Sequence, residues 1–257
     1  MSFALHATSR GHGPRVVLVH GFTQTSASWA RIEAELADGF EVVAVDLPGH
    51  GRSFVPTAGD GISQAATAIG RAGGSASYIG YSLGGRCCLH LALAAPELIE
   101  RLVIVGAHPG IDDETDRLAR RDADDLTAAE IEAGGDDGVP GFVDRWLAGP
   151  LFAHLSDDQA DRASRLANSA AGLAASLRTA GTGTQAPLWE RLGELEMPVL
   201  VVVGARDDKF TPIARRTVAA IGENARLAIV EGAGHAACFE RPELFSALVR
   251  DFLDEGA

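Results

Sequence analysis

Gly80-Tyr81-Ser82-Leu83-Gly84-Gly85 follows a short apolar run around Tyr78 and Ile79 and opens a helix-like stretch, Arg86 to Ala95. A serine between a strand and a helix, flanked by small residues, predicts a nucleophile elbow. The tight turn lifts the hydroxyl above the strand ends, and glycines permit the close backbone approach that the turn demands. Gly-x-Ser-x-Gly also describes ordinary glycine-rich turns, so its surroundings decide the reading.

Outward from this turn lie further short runs rich in β-branched residues: Arg15 to Val19, Glu41 to Val45, Leu102 to Val105, Val199 to Val203 and Leu227 to Val230. Segments with helical periodicity separate them, which predicts an α/β architecture with a mostly parallel sheet. The runs are almost wholly apolar rather than alternating, as strands covered on both faces should be, so the sheet is expected to be doubly wound. Residues 111 to about 190 hold no convincing strand but several helix-like stretches, such as Asp157 to Ala171 with Ser156 as N-cap. The expected organisation is a core of residues 1–110 and 187–257 with a helical lid, residues 111–186, inserted into it. Gly134, Gly135, Gly138 and Pro140 should interrupt that lid, and Ala180 to Ala186 forms a second joint.

The 257 residues are 46% hydrophobic and 22% charged, enough apolar content to bury a large core. Asp and Glu total 35 against 22 Lys and Arg, and the net charge of −13 argues against a partner that is nucleic acid or an anionic membrane. Residues 112 to 137 alone carry eleven acids and three arginines. No apolar run approaches the roughly 20 residues that span a bilayer, and Met-Ser-Phe-Ala-Leu-His does not begin like a secretory leader, so the expected address is cytoplasmic. Cys87, Cys88 and Cys238 read as small buried hydrophobes, and the histidines show no metal-ligand spacing. Among them His90 reads as packing, while His6, His12 and His154 carry no pattern.

A serine hydroxyl is a weak nucleophile and base near neutral pH; it needs an imidazole to take its proton and a carboxylate to orient that imidazole. Gly204-Ala205-Arg206-Asp207-Asp208 follows one predicted strand and Gly232-Ala233-Gly234-His235 follows another, so both candidates lie at strand C-terminal ends, where open α/β sheets gather their ligands. The order Ser82, Asp207, His235 is that of the α/β-hydrolase fold. Asp207 is preferred to Asp208 by its distance from the strand; Asp208 suits a helix-capping acid. His20-Gly21-Phe22 ends the first apolar strand, and backbone N–H groups from that loop and from Leu83 could converge on a developing oxyanion. His20 itself reads as a residue that orders the loop.

These motifs resemble the α/β-hydrolases over nearly the whole chain, with Asp46-Leu47-Pro48-Gly49-His50-Gly51 as a further shared segment. A closer resemblance is to the SHCHC synthase (MenH) family of menaquinone biosynthesis. It rests on Gly80 to Arg86, on His108-Pro109-Gly110-Ile111 with the pair Arg120-Arg121, on Trp146 with Pro150-Leu151-Phe152, and on Gly204 to Phe210. The resemblance implies a lyase that expels pyruvate from a carboxylated enolpyruvyl cyclohexene, with Ser82 acting as base under His235 and Asp207. It also implies oxyanion donors at the backbone N–H of Phe22 and Leu83, substrate carboxylates held by Arg86, Arg120 and Arg165, pocket walls from Tyr81 and Trp146, and no metal or cofactor. Arg121 is expected on a solvated face. Two other readings stand beside it: a serine hydrolase cleaving an ester or C–C bond of a small carboxylated substrate, and a binding module that keeps only the fold.

Overall fold

The structure is a computed structural model describing residues 4–255. Seven strands, β1 (Ala7–Arg10), β2 (Arg15–Val19), β3 (Glu41–Val45), β4 (Ala76–Tyr81), β5 (Ile99–Val105), β6 (Val199–Gly204) and β7 (Ala225–Val230), form one sheet in the order β1-β3-β2-β4-β5-β6-β7. All pairs are parallel except β1 with β3. Six of the strands coincide with the apolar runs of the sequence. β1 does not: Ala-Thr-Ser-Arg is exposed throughout, an edge strand that shows no apolar face for a pattern to detect.

Each central strand feeds two cores by its pleat. Val17 and Val19 join the cluster beneath α2 (Ile62–Gly73), α3 (Leu83–Ala94) and α8 (Phe210–Ile221); Val16 and Leu18 join the one covered by α1 (Ala30–Leu36) and the last helix, Pro242–Asp254. Period-two geometry with both faces buried is why these strands lack alternation. Cys87, Cys88 and Cys238 are free thiols inside these cores.

Between β5 and β6 the chain is helical: α4 (Glu114–Leu147), α5 (Asp157–Ala160), α6 (Arg162–Arg165) and α7 (Ala170–Ala180). The Asp113 carboxylate caps α4 by accepting from the Asp116 N–H. α4 is broken at Gly135, whose φ of 58° and ψ of −168° only glycine adopts readily. Ala128, Ile131, Val139, Phe142 and Val143 of α4 close on Leu173, Ala174 and Leu177 of α7, giving the insertion its own apolar core.

The continuous helix expected over Asp157 to Ala171 is absent. Ser156 and Gln159 form a capping box on α5, but Asp161 turns left-handed and the chain restarts as α6, then as α7 under its own cap, Ser169. Tertiary bonds override the local preference here: Ser164 Oγ meets Thr25 Oγ1 and the Arg165 guanidinium is drawn under the loop after β2. Among the described residues no helix is long and apolar enough to cross a membrane.

Candidate active site

β4 is flanked by β2 and β5 and ends at the elbow, so Ser82 stands above the middle of the sheet. Its φ of 51° and ψ of −108° are the strained turn that the motif predicts. The glycines are required by contact: a Cβ on Gly84 would collide with the Val19 carbonyl, and one on Gly80 would sit 2.6 Å from the Gly84 backbone.

Ser82, His235 and Asp207 come together. Ser82 Oγ lies 3.4 Å from His235 Nε2, and His235 Nδ1 lies 2.9 Å from Asp207 Oδ2. The Phe210 N–H donates to Asp207 Oδ1 at 3.0 Å, fixing the carboxylate plane. Asp208 is exposed and takes no part. With the carboxylate at Nδ1, the imidazole proton belongs there and Nε2 is left to accept from the serine. Phe210, centroid 4.4 Å away, and Tyr81, 5.4 Å away, clamp the ring.

Ser82 and His235, with Asp207 outside the lining, open onto a cavity of about 90 Å³ that continues into open solvent and whose lining includes Phe22, Leu83, Arg86, Arg120, Trp146 and Lys209. As the first residue of α3, Leu83 has an N–H without an intrahelical acceptor. Phe22 is held from the opposite side. His20 Nδ1–H donates to the Gly21 carbonyl and its Nε2 accepts from the Leu47 N–H, while His50 Nε2 accepts from the Thr23 N–H. Burial lowers His20 to about 4 and His50 to about 3, so both are neutral struts, and His20 orders the loop as its position implied.

The three candidate arginines differ. Arg86 is only 7% exposed, not a surface residue; it donates to Gln185 Oε1 at 3.0 Å and to the Ala180 carbonyl at 2.7 Å, and has no carboxylate partner among the described residues. Burial brings it down to about 10, so it stays charged and its charge is unneutralised. Arg120 donates through Nε to Asp124 Oδ1 at 2.9 Å, which leaves its Nη groups for the cavity. Arg121, one residue on, is exposed as expected.

Arg165 is a correction. It is fully buried but is not among the cavity's lining residues; it donates to Thr23 Oγ1, to the Phe22 carbonyl and, at 2.7 Å, to the Ala160 carbonyl, tying α6 to the loop after β2. Tyr81 is a second correction: it sits behind His235 rather than on the wall. Trp146 does line the cavity, edge-on to Phe22 at 5.2 Å. Sequence reasoning missed Gln185, Gly106, His108 and Lys209. Gln185 was hidden in a glycine-threonine joint; His108 and Lys209 stand in segments quoted above and Gly106 in the gap between two of them, all just beyond β5 and β6, where the position at a strand end marks them.

A family model described as alpha/beta hydrolase fold matches residues 14–242. The chain belongs to the α/β-hydrolase fold family. It is 32% identical to the 2-succinyl-6-hydroxy-2,4-cyclohexadiene-1-carboxylate synthase of Enterobacter sp. (strain 638), over 93% of this chain and 92% of that one. A Bacillus subtilis protein bearing the same name provisionally is 34% identical over 93% of this chain and 89% of its own. Within the hydrolase fold, therefore, the chain belongs to the synthase family. The solved structure of MenH from S. aureus superimposes with a TM-score of 0.89 at 29% identity, covering 97% of this chain and 98% of that one.

Proposed function

We propose that this protein is a lyase that eliminates pyruvate from 2-succinyl-5-enolpyruvyl-6-hydroxy-3-cyclohexene-1-carboxylate, giving 2-succinyl-6-hydroxy-2,4-cyclohexadiene-1-carboxylate in menaquinone biosynthesis. The observation that carries the reading is the opening of a hydrogen-bonded Ser82–His235–Asp207 chain onto a cavity that holds the unpaired cation of Arg86. The names of the relatives give the product, and the family resemblance implies the enolpyruvyl substrate.

In this mechanism His235 Nε2 takes the Ser82 proton, and Oγ takes the ring proton next to the succinyl ketone. The electron pair moves onto the ketone oxygen, where the N–H groups of Phe22 and Leu83 meet the enolate. As the enolate collapses, a double bond forms between the deprotonated ring carbon and its neighbour, the existing ring double bond shifts one position along, and the C–O bond to the enolpyruvyl group breaks. The leaving enolate takes up a proton and becomes pyruvate, and the imidazolium of His235 gives up the matching proton, which restores the neutral imidazole, the Ser82 hydroxyl having been regenerated by the substrate's proton. No acyl ester is formed. The 3.4 Å serine–histidine separation is loose for a hydrogen bond and should tighten when substrate binds.

Recognition follows from charge. A polycarboxylate nearing a chain of net charge −13 is repelled, and Arg86 and Arg120 reverse the field locally. Each charge-assisted hydrogen bond contributes about 1.5 to 3 kcal/mol, so two arginines outweigh the remaining polar contacts. Residues 111–186 then act as a lid that carries Arg120 and Trp146, and the setting is cytoplasmic. The test is pyruvate release from the enolpyruvyl substrate, followed with a coupled dehydrogenase. A rate no higher than the spontaneous one ends the lyase reading, and burst acylation by an activated ester together with phosphonate labelling would favour the hydrolase.

A further inference from the structure

His108 stands directly beyond β5, beside Lys209 from the loop beyond β6, and both line the cavity that Ser82 opens onto. Its ring is fixed on two sides. The Gly110 N–H donates to His108 Nδ1 at 3.0 Å, and the ring meets Trp189 edge-on, centroids 5.9 Å apart. Trp189 is itself anchored, its Nε1–H donating to the Gly110 carbonyl at 2.7 Å, so ring, turn and indole form one rigid unit.

Accepting at Nδ1 dictates the tautomer: the proton of the neutral ring is on Nε2, at the opposite edge. No protein group among the described residues accepts from it. The groups facing the ring are Arg86, Lys209 and Arg216, all cationic, with Asp112 the opposing carboxylate; burial, then Arg86 and Lys209, lower its pKa to about 4. The site is therefore electropositive without a charge on the ring itself.

We propose that His108 is a substrate-binding residue whose Nε2–H donates to a carboxylate oxygen of the substrate, at the end of the cavity shared with Arg86 and Lys209. This rests on the reading of the protein as a lyase acting on a polycarboxylate, and it assigns to His108 the place that Arg165 was expected to fill. A neutral, pre-oriented donor suits this role, because it fixes the carboxylate's orientation beside cations that supply attraction from any direction.

Two amide substitutions separate binding from scaffolding. In His108→Asn, the side-chain oxygen can still accept from the Gly110 N–H, but nothing reaches where Nε2 stood. In His108→Gln, the amide nitrogen reaches the Nε2 position, while the turn loses its acceptor. With the enolpyruvyl substrate, His108→Asn should raise KM by about 10- to 100-fold with kcat within about threefold, and His108→Gln should stay within about threefold of the parent in both, the spread expected of one hydrogen bond to a charged group. The reverse ranking overturns the proposal, since it would mean that His108 only holds the Gly110 turn; so would equal KM values in both variants. A second arm is independent of turnover. In ¹⁵N-edited spectra, the Nε2–H resonance lost in His108→Asn should shift when the parent is titrated with succinate, and succinate should bind His108→Gln more tightly than His108→Asn. No shift, or equal affinities, overturns the proposal. A parent that releases no pyruvate yet shows these succinate effects sinks the lyase reading and leaves the His108 assignment standing.

Discussion

The sheet and the helical insertion build one cavity by opposite means. Ser82, Asp207 and His235 hang from strand ends in a twice-covered core, Asp207 and His235 buried and Ser82 half-buried, joined by hydrogen bonds in a chain. Arg120 and Trp146 come from α4, which packs on α7 through a small apolar core and is laced on its outer face by ion pairs such as Arg178 with Glu132 and Arg162 with Asp144. Exposed pairs of this sort contribute little, so the helical layer is held chiefly by its apolar core and by its buried bonds to the loop after β2. The contrast teaches a division of labour: strand ends place the serine, histidine and aspartate, and the helical layer presents charge.

The largest expected effect tests the sheet's half. Ser82→Ala or His235→Ala should lower kcat by on the order of 10³ or more with KM changed only a few-fold and thermal unfolding unaltered. Steady-state kinetics decide it, and a KM effect matching the kcat effect would erase the division. Acid should next separate the regions by stability. His20 and His50 are held at about 4 and about 3 when folded, against about 6.5 unfolded, so between pH 6.5 and 4 the unfolded chain binds the extra protons. Stability should therefore fall with pH through that window, by up to about 1.4 kcal/mol per unit for each histidine. The insertion's carboxylates behave otherwise: hydrogen bonds from Arg178 and Arg162 hold Glu132 and Asp144 below their ordinary values, so their contribution is present above the carboxylate range and fades only below it. Urea unfolding from pH 7 to 4 should show the early loss; a flat profile down to pH 4.5 would break the contrast.

Binding variants come next. Arg86→Ala should raise KM about 100-fold, the cost of two lost charge-assisted contacts, with Arg86→Lys intermediate. Arg120→Ala should raise KM about 10-fold and destabilise by about 1 to 3 kcal/mol by stranding buried Asp124. Adding Asp124→Asn should recover stability but not KM, as melting curves beside kinetics would reveal. The smallest effect on turnover belongs to Gly135→Ala, at a backbone angle costing about 1 to 3 kcal/mol. Hydrogen exchange should quicken in α4 alone, with kcat/KM within about twofold.

The same contrast governs what could be read from sequence. Strands buried on both faces announce themselves as apolar runs, and Ser82, Asp207 and His235 each follow one, so the triad and its order were legible. Asp207 over Asp208 was legible too, as a matter of spacing. The insertion was not. Arg120 and Arg165 are both arginines on alanine-rich helices, and nothing local distinguishes the one facing the cavity from the one buried under Thr23; only the break at Asp161, imposed by tertiary bonds, turns Arg165 inward. β1 escaped for a related reason, since its pairing depends on a neighbour and its residues carry no preference of their own.

The bond from α6 to the loop after β2 limits modularity. Arg165 and Asn168 grip the Thr23 backbone and hydroxyl, and Ser164 holds Thr25. Chimeras that exchange the helical layer for another family's, in the hope of changing specificity alone, would unseat the very turn that carries Phe22. Recombination borders in this scaffold therefore have to travel in pairs, with residues 22–25 moving alongside 161–168.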